Sequence, residues 1–214
     1  MSRLIFFLLC IGALLIAPTG LRAADAPTIL VFGDSLSAGY GIDPARGWVS
    51  LLDAKLRSSG YSYRIVNASV SGETTAGGLA RLPRALQTQH PAVVIIELGG
   101  NDGLRALPIA EMRSNLARMI SLCKESRASV LLLGIRMPGN YGPRFTAEFE
   151  GVYSGLAKQF RIPMVPFLLE GVASQAGLMQ ADGIHPNEQG QPLLLANVWP
   201  VLIKTLTPSA KNVR

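Results

Sequence analysis

Residues Ala92 to Leu98 form an apolar run broken only by Glu97. A strand with one wet face alternates apolar and polar residues, whereas a run without alternation has both faces covered. Such a strand belongs inside a parallel sheet with helices on each side. Pro91 precedes it, and Gly99-Gly100-Asn101-Asp102 follows it as a polar glycine turn. Thr28 to Phe32 is a second buried run, and it ends at Gly33-Asp34-Ser35-Leu36-Ser37. Shorter strands are expected at Tyr63 to Asn67, Val130 to Ile135 and Ile162 to Phe167.

Helical spacing fills the intervals. Trp48, Leu51, Leu52 and Leu56 share a face, with Gly60 as a stop. Leu79, Leu82 and Leu86 mark a second helix, and Met112, Leu116, Met119, Ile120 and Cys123 a third. Phe145, Phe149, Val152, Tyr153 and Leu156 mark a fourth. A last helix near Glu188 to Leu206 contains Pro200, so a kink or two pieces is expected there. Strands alternating with helices predict an α/β domain: a parallel sheet of about five strands between two helical layers.

The chain opens with Arg3, an apolar run from Leu4 to Ala17, then Pro18-Thr19-Gly20 and the small residues Ala23 and Ala24. A basic start, a short greasy middle and a small-residue exit read as a secretory signal, residues 1–24, cut after Ala23 or Ala24. The run is too short for a transmembrane helix. Residues 25–207 are then expected to form one domain, and 208–214 a frayed tail. Removing the signal takes away Cys10, Arg3 and Arg22, so the formal charge falls from +6 to +4. Only Cys123 remains, which excludes an intramolecular disulfide and reads as a core residue. The remaining cations are scattered without aromatic interleaving, which argues against nucleic-acid binding. The expected product is an exported protein, periplasmic or secreted, without a stable membrane span.

Ligands of an open parallel sheet gather at the carboxyl ends of its strands. The turns at Gly33, Gly72 and Gly99 all sit at such ends. Ser35 is therefore a candidate nucleophile, and it needs a base. The chain has two histidines, His90 and His185. His90 precedes a proline at the amino end of a strand and reads as a surface residue at the far edge. His185 lies in Ala181-Asp182-Gly183-Ile184-His185-Pro186, where Asp182 can accept the Nδ1 hydrogen bond. Taken alone, the Asp182–His185 spacing is weak, and a casual pair on a solvated loop is its first reading. A metal site of Asp34, Asp102, Asp182 and His185 is a third reading, with a poor ligand set for zinc. The Gly72 N–H, the Asn101 amide and the Ser35 N–H are candidate oxyanion donors.

Four blocks carry a resemblance: Gly33-Asp34-Ser35-Leu36, Ser71-Gly72-Glu73-Thr74, Gly99-Gly100-Asn101-Asp102 and Asp182-Gly183-Ile184-His185-Pro186. In order and spacing they resemble the SGNH (GDSL) hydrolases. Asn67-Ala68-Ser69, Asn140-Tyr141-Gly142-Pro143 and Asn197-Val198-Trp199-Pro200 resemble its bacterial thioesterase I, arylesterase and lysophospholipase branch. The resemblance implies Ser35 as nucleophile, His185 as base and Asp182 as its orienter. It also implies an oxyanion hole of Ser35, Gly72 and Asn101, a flavodoxin-like three-layer α/β/α fold, and no metal or organic cofactor. The serine block lacks a glycine two residues after Ser35, which counts against an ordinary α/β-hydrolase elbow.

The implied activity is hydrolysis of fatty-acyl and aryl esters, acyl thioesters and lysophospholipids, by a monomer whose partner is a small-molecule or lipid ester. Leu104, Leu107, Pro108 and Ile109 are expected as an apolar rim, and Phe145 with the Pro138 to Pro143 loop, Tyr141 included, as a second wall. Two alternatives stand beside it: a carbohydrate O-acetylesterase of the same family, and a non-catalytic periplasmic binding module on the same sheet.

Overall fold

The computed structural model describes residues 26–206. The signal segment 1–24, its cleavage site and the tail 208–214 lie outside the described residues. Five strands make one parallel sheet: β1 (Thr28–Gly33), β2 (Arg64–Asn67), β3 (Val93–Glu97), β4 (Ser129–Leu133) and β5 (Met164–Val165). Their order across the sheet is β2-β1-β3-β4-β5, the flavodoxin-like winding. β3 pairs with both β1 and β4, with Leu30 opposite Val94 and Val94 opposite Val130.

The helices are α1 (Ser35–Ala38), α2 (Trp48–Ser58), α3 (Thr75–Gln89), α4 (Gly100–Leu104), α5 (Ile109–Glu125), α6 (Pro143–Phe160) and α7 (Gln191–Leu202). Because side chains alternate along a strand, each central strand feeds two cores. Ile29, Val31, Val93 and Ile95 pack with Trp48, Leu52, Leu56, Leu194 and Val198 from α2 and α7. Leu30, Phe32, Val94 and Ile96 pack with Leu82, Leu116, Met119, Phe149 and Tyr153 from α3, α5 and α6. The unalternating runs are thus covered on both faces, as their composition requires. Cys123 is fully buried in the second core, and burial pushes its thiol up to about 12.

The expected boundaries shift where proline intervenes. β5 is only two residues long because Pro163 and Pro166 flank it and cannot donate to a ladder. α7 runs through Pro200 as one element and forgoes the bond that an N–H there would give the Ala196 carbonyl. α7 also begins later than expected, because Asn187 Oδ1 accepts the Gln189 and Gly190 N–H groups and holds a turn before it. No helix among the described residues is long and apolar enough to cross a membrane.

Candidate active site

The carboxyl end of β1 is clamped before the chain turns. Asn67 Nδ2 donates to the Ser37 carbonyl at 2.8 Å, and its Oδ1 accepts the Ser69 N–H at 3.1 Å. Ser69 Oγ in turn accepts the Gly33 N–H at 3.1 Å, and Val70 N–H donates to the Gly33 carbonyl at 3.0 Å. Gly33 has to be glycine, since a Cβ there would stand 2.5 Å from Glu97 Oε2. That oxygen accepts the Asp34 N–H at 3.2 Å and the Ser37 hydroxyl at 2.7 Å. The turn that presents Ser35 is therefore fixed from β2 on one side and from β3 below.

Ser35 faces His185, with Oγ 2.8 Å from Nε2. His185 Nδ1 stands 2.6 Å from Asp182 Oδ2. The other carboxylate oxygen, Asp182 Oδ1, accepts the N–H groups of Ile184 at 2.9 Å and His185 at 3.0 Å. One carboxylate thus folds its own loop and orients the imidazole. The His185 backbone N–H and its ring, followed by the Ile184 N–H, hold the Asp182 carboxyl down at about 2. Tyr40 lies over the imidazole with ring centroids 4.6 Å apart, a contact that sequence reasoning missed.

Asp34 is a second carboxylate of opposite character. It is 2 % exposed, Oδ1 accepts the Leu36 N–H at 3.0 Å, and Oδ2 accepts from Asn101 Nδ2 at 3.1 Å. Burial raises it to about 6, against the Leu36 N–H, the nearby His185 and the Asn101 amide, which all lower it. Glu97 beneath it is fully buried, with Oε1 unpartnered. Burial first, and the Asp34 charge second, push Glu97 well above the ordinary carboxylate range.

The remaining expected site residues fall into two groups. Asn101 stands in the first turn of α4 and reaches the Ser35 turn through Asp34. Gly72 adopts φ 79°, a left-handed conformation suited to glycine, and its carbonyl accepts from Arg105 Nη2 at 2.9 Å. Asp102 does not join the Ser35–His185 pair. Its carboxylate accepts from the Thr75 N–H at 2.9 Å and the Thr75 hydroxyl at 2.5 Å, tying the start of α3 to α4. His90 caps α3 at the opposite edge of the sheet, exposed and far from the catalytic turn in the topology.

A cavity of about 440 Å³ opens beside Ser35, Asn101 and His185. Of the six expected substrate residues, Leu104 lines it. Leu107, Pro108, Ile109, Tyr141 and Phe145 do not. Tyr141 instead donates its hydroxyl to the Leu104 carbonyl at 3.3 Å and stacks on Phe145, bracing the wall from behind. The apolar lining comes from Ile135 and Met137 after β4, and from Phe167, Leu169 and Ile184. Ile135, Met137, Phe167 and Leu169 follow the carboxyl ends of β4 and β5, where such a sheet gathers its ligands, but that rule names the strands and not the side chains that turn inward; Ile184 comes from the His185 loop.

A model of the GDSL-like lipase/acylhydrolase family matches residues 31–193. The chain belongs to that family. This GDSL-like hydrolase is 55% identical over 181 residues to a protein named Esterase TesA from Pseudomonas aeruginosa, covering 85% of this chain and 90% of that one. It is 44% identical to an Arylesterase from Vibrio mimicus, over 83% of this chain and 89% of the other. Among solved structures, one described as the crystal structure of TesA superposes with a TM-score of 0.82, covering 84% of this chain and 99% of that one at 55% identity. A lipase/acylhydrolase from Enterococcus faecalis superposes at 0.71 with 27% identity, over 85% and 98% of the two chains. The GDSL-like hydrolase is accordingly a serine enzyme acting on ester bonds.

Proposed function

We propose that this enzyme hydrolyses carboxylic esters and thioesters of medium-sized apolar acyl or aryl groups through an acyl-enzyme on Ser35. The observation that carries the reading is the unbroken contact Asp182–His185–Ser35 opening on an apolar cavity. His185 Nε2 takes the Ser35 proton as Oγ attacks the carbonyl carbon. The carbonyl π electrons move onto its oxygen, and the Ser35 N–H, Gly72 N–H and one hydrogen of the Asn101 amide receive the charge. The other amide hydrogen is spent on Asp34, which fixes the direction in which the first one points. Collapse breaks the bond to the alcohol or thiol, which leaves with the proton from His185. Water then repeats the sequence on the acyl-enzyme.

The cavity decides between ester classes. About 440 Å³ walled by Ile135, Met137, Phe167, Leu169 and Ile184 would stand mostly empty around an acetyl group. A bulky hydrocarbon or aromatic group fills it and leaves no polar atom unsatisfied. This favours fatty-acyl and aryl esters, acyl thioesters and lysophospholipids over acetylated carbohydrates. A binding module has no use for the Ser35–His185 contact. The names of the relatives, an esterase and an arylesterase, point the same way. Residues 1–24 support export to the periplasm or beyond, with 25–207 as the working domain; mass spectrometry of the exported protein would show its first residue.

The test is a chain-length series of p-nitrophenyl esters and acyl-CoA thioesters, with a lysophospholipid included. Ser35→Ala should lose activity on every substrate, and kcat/KM of the parent should rise from acetyl towards longer acyl groups. A maximum at acetyl would overturn the substrate reading, and an unaffected Ser35→Ala would overturn the nucleophile.

A further inference from the structure

Across the molecule from Ser35, the amino ends of β4 and β5 open on a second groove of about 470 Å³. α5 and α6 end beside it, and the turn after α7 closes it. Lys124, Arg127, Arg161 and Lys204 line it with the hydroxyl residues Ser129 and Thr205, and no Asp or Glu is among the lining residues. All four cations are exposed. Arg46, Arg57, Arg81, Arg118 and Arg136 each meet a carboxylate elsewhere on the surface. Among the described residues, no ion pair engages any of the four groove cations. Lys124 Nζ donates to the Phe160 carbonyl at 3.1 Å and sits 5.9 Å from the centre of its ring, which holds the ammonium on the groove wall.

The backbone adds a second observation. Arg127 and Arg161 adopt φ 63° and 53°, the left-handed region. Each follows the end of its helix, where Ala128 N–H reaches back to Cys123 O at 2.9 Å and Ile162 N–H to Ala157 O at 3.0 Å. Glycine fits that position best, because a Cβ is crowded there. Two neighbouring helices thus end on strained arginines, and the strain is repeated where the two side chains line one groove. Attraction to the helix ends alone does not account for this charge. Each helix terminus presents roughly half a negative charge, and three such ends leave four full positive charges in clear surplus.

We propose that this groove binds a phosphate group, with the planar guanidiniums of Arg127 and Arg161 gripping its oxygens and Lys124 and Lys204 balancing its charge. Arginine forks match phosphate oxygens in pairs, and the two hydroxyls supply further donors. The phosphate comes either from a soluble phosphorylated molecule or from a lipid headgroup. In both cases the ligand lies at the opposite edge of the sheet from the catalytic cavity, so the cavity stays open to substrate.

Arg127→Gly/Arg161→Gly removes two charges while relieving the left-handed backbone, so the test does not endanger the fold. Pyrophosphate titrated into the ¹⁵N-labelled protein should shift the Ala128, Ser129 and Ile162 amides saturably, and the double variant should bind at least tenfold more weakly. Hydrolysis of p-nitrophenyl butyrate should be unchanged in the variant. Sedimentation with phosphatidylglycerol vesicles, lost in the variant, would make the source a lipid headgroup. Pyrophosphate binding without vesicle binding would make it a soluble ligand. No saturable shift in 0.1 M salt, or a glycine variant that binds like the parent, overturns the proposal.

Discussion

Two aspartates serve the same serine from opposite environments. Asp182 stands on an exposed loop, and hydrogen bonds from its own loop and from His185 hold it down at about 2. Asp34 lies under the nucleophile turn, and burial raises it to about 6 although it also accepts two hydrogen bonds. The difference teaches that hydrogen bonds set the charge state where water reaches the carboxylate, and that burial overrides them where it does not. Asp182 stays ionised through any working pH and orients the His185 ring. Asp34 sits close to its own ionisation and holds the Asn101 amide.

The comparison breaks most visibly at Asp182. Asp182→Asn should lower kcat by about 10⁴-fold, because the carboxylate that fixes the tautomer is gone; a loss below tenfold would mean that the loop backbone alone orients His185. Asn101→Ala should fold normally and lose about 10²–10³-fold in kcat, the usual effect of deleting one oxyanion donor. Unchanged kcat there would remove Asn101 from the oxyanion hole.

The sequence exposed the architecture because the signals were local and redundant. Unalternating runs at Ile29 to Phe32 and Val93 to Leu98 demand cover on both faces, and glycine turns end them. The Asp182 to His185 loop was legible for the same reason, since its geometry is set within four residues. The cavity wall was not. Leu107, Pro108 and Ile109 are adjacent to Asn101 in the chain, yet Ile135, Met137 and Phe167 reach the site from β4 and β5. Apolar residues next to a catalytic residue share a loop with it, whereas lining a cavity depends on which strands are neighbours, and β4 and β5 are placed by tertiary packing. The Asp34–Asn101 contact, 67 positions apart, was equally out of reach.

Asp34 supplies the smallest and most discriminating effects. Its raised value means that the folded state holds the Asp34 proton more tightly than the unfolded chain does. That contribution to stability is fully present below the ordinary 3.8 and is lost as pH rises through about 6. Asp34→Asn has no charge to bury, so its melting temperature relative to the parent should climb between pH 4 and pH 7; a constant difference across that range would show that Asp34 does not ionise there. Its activity should move the other way. A hydrogen bond to a charged acceptor exceeds a neutral one by about 1–1.5 kcal/mol, so loosening Asn101 should reduce kcat about tenfold with KM little changed. If Asp34 acts through Asn101, the same substitution made in Asn101→Ala should cost almost nothing further. An equal tenfold loss in both backgrounds would instead assign Asp34 to the turn that carries Ser35, through the Leu36 N–H it also holds.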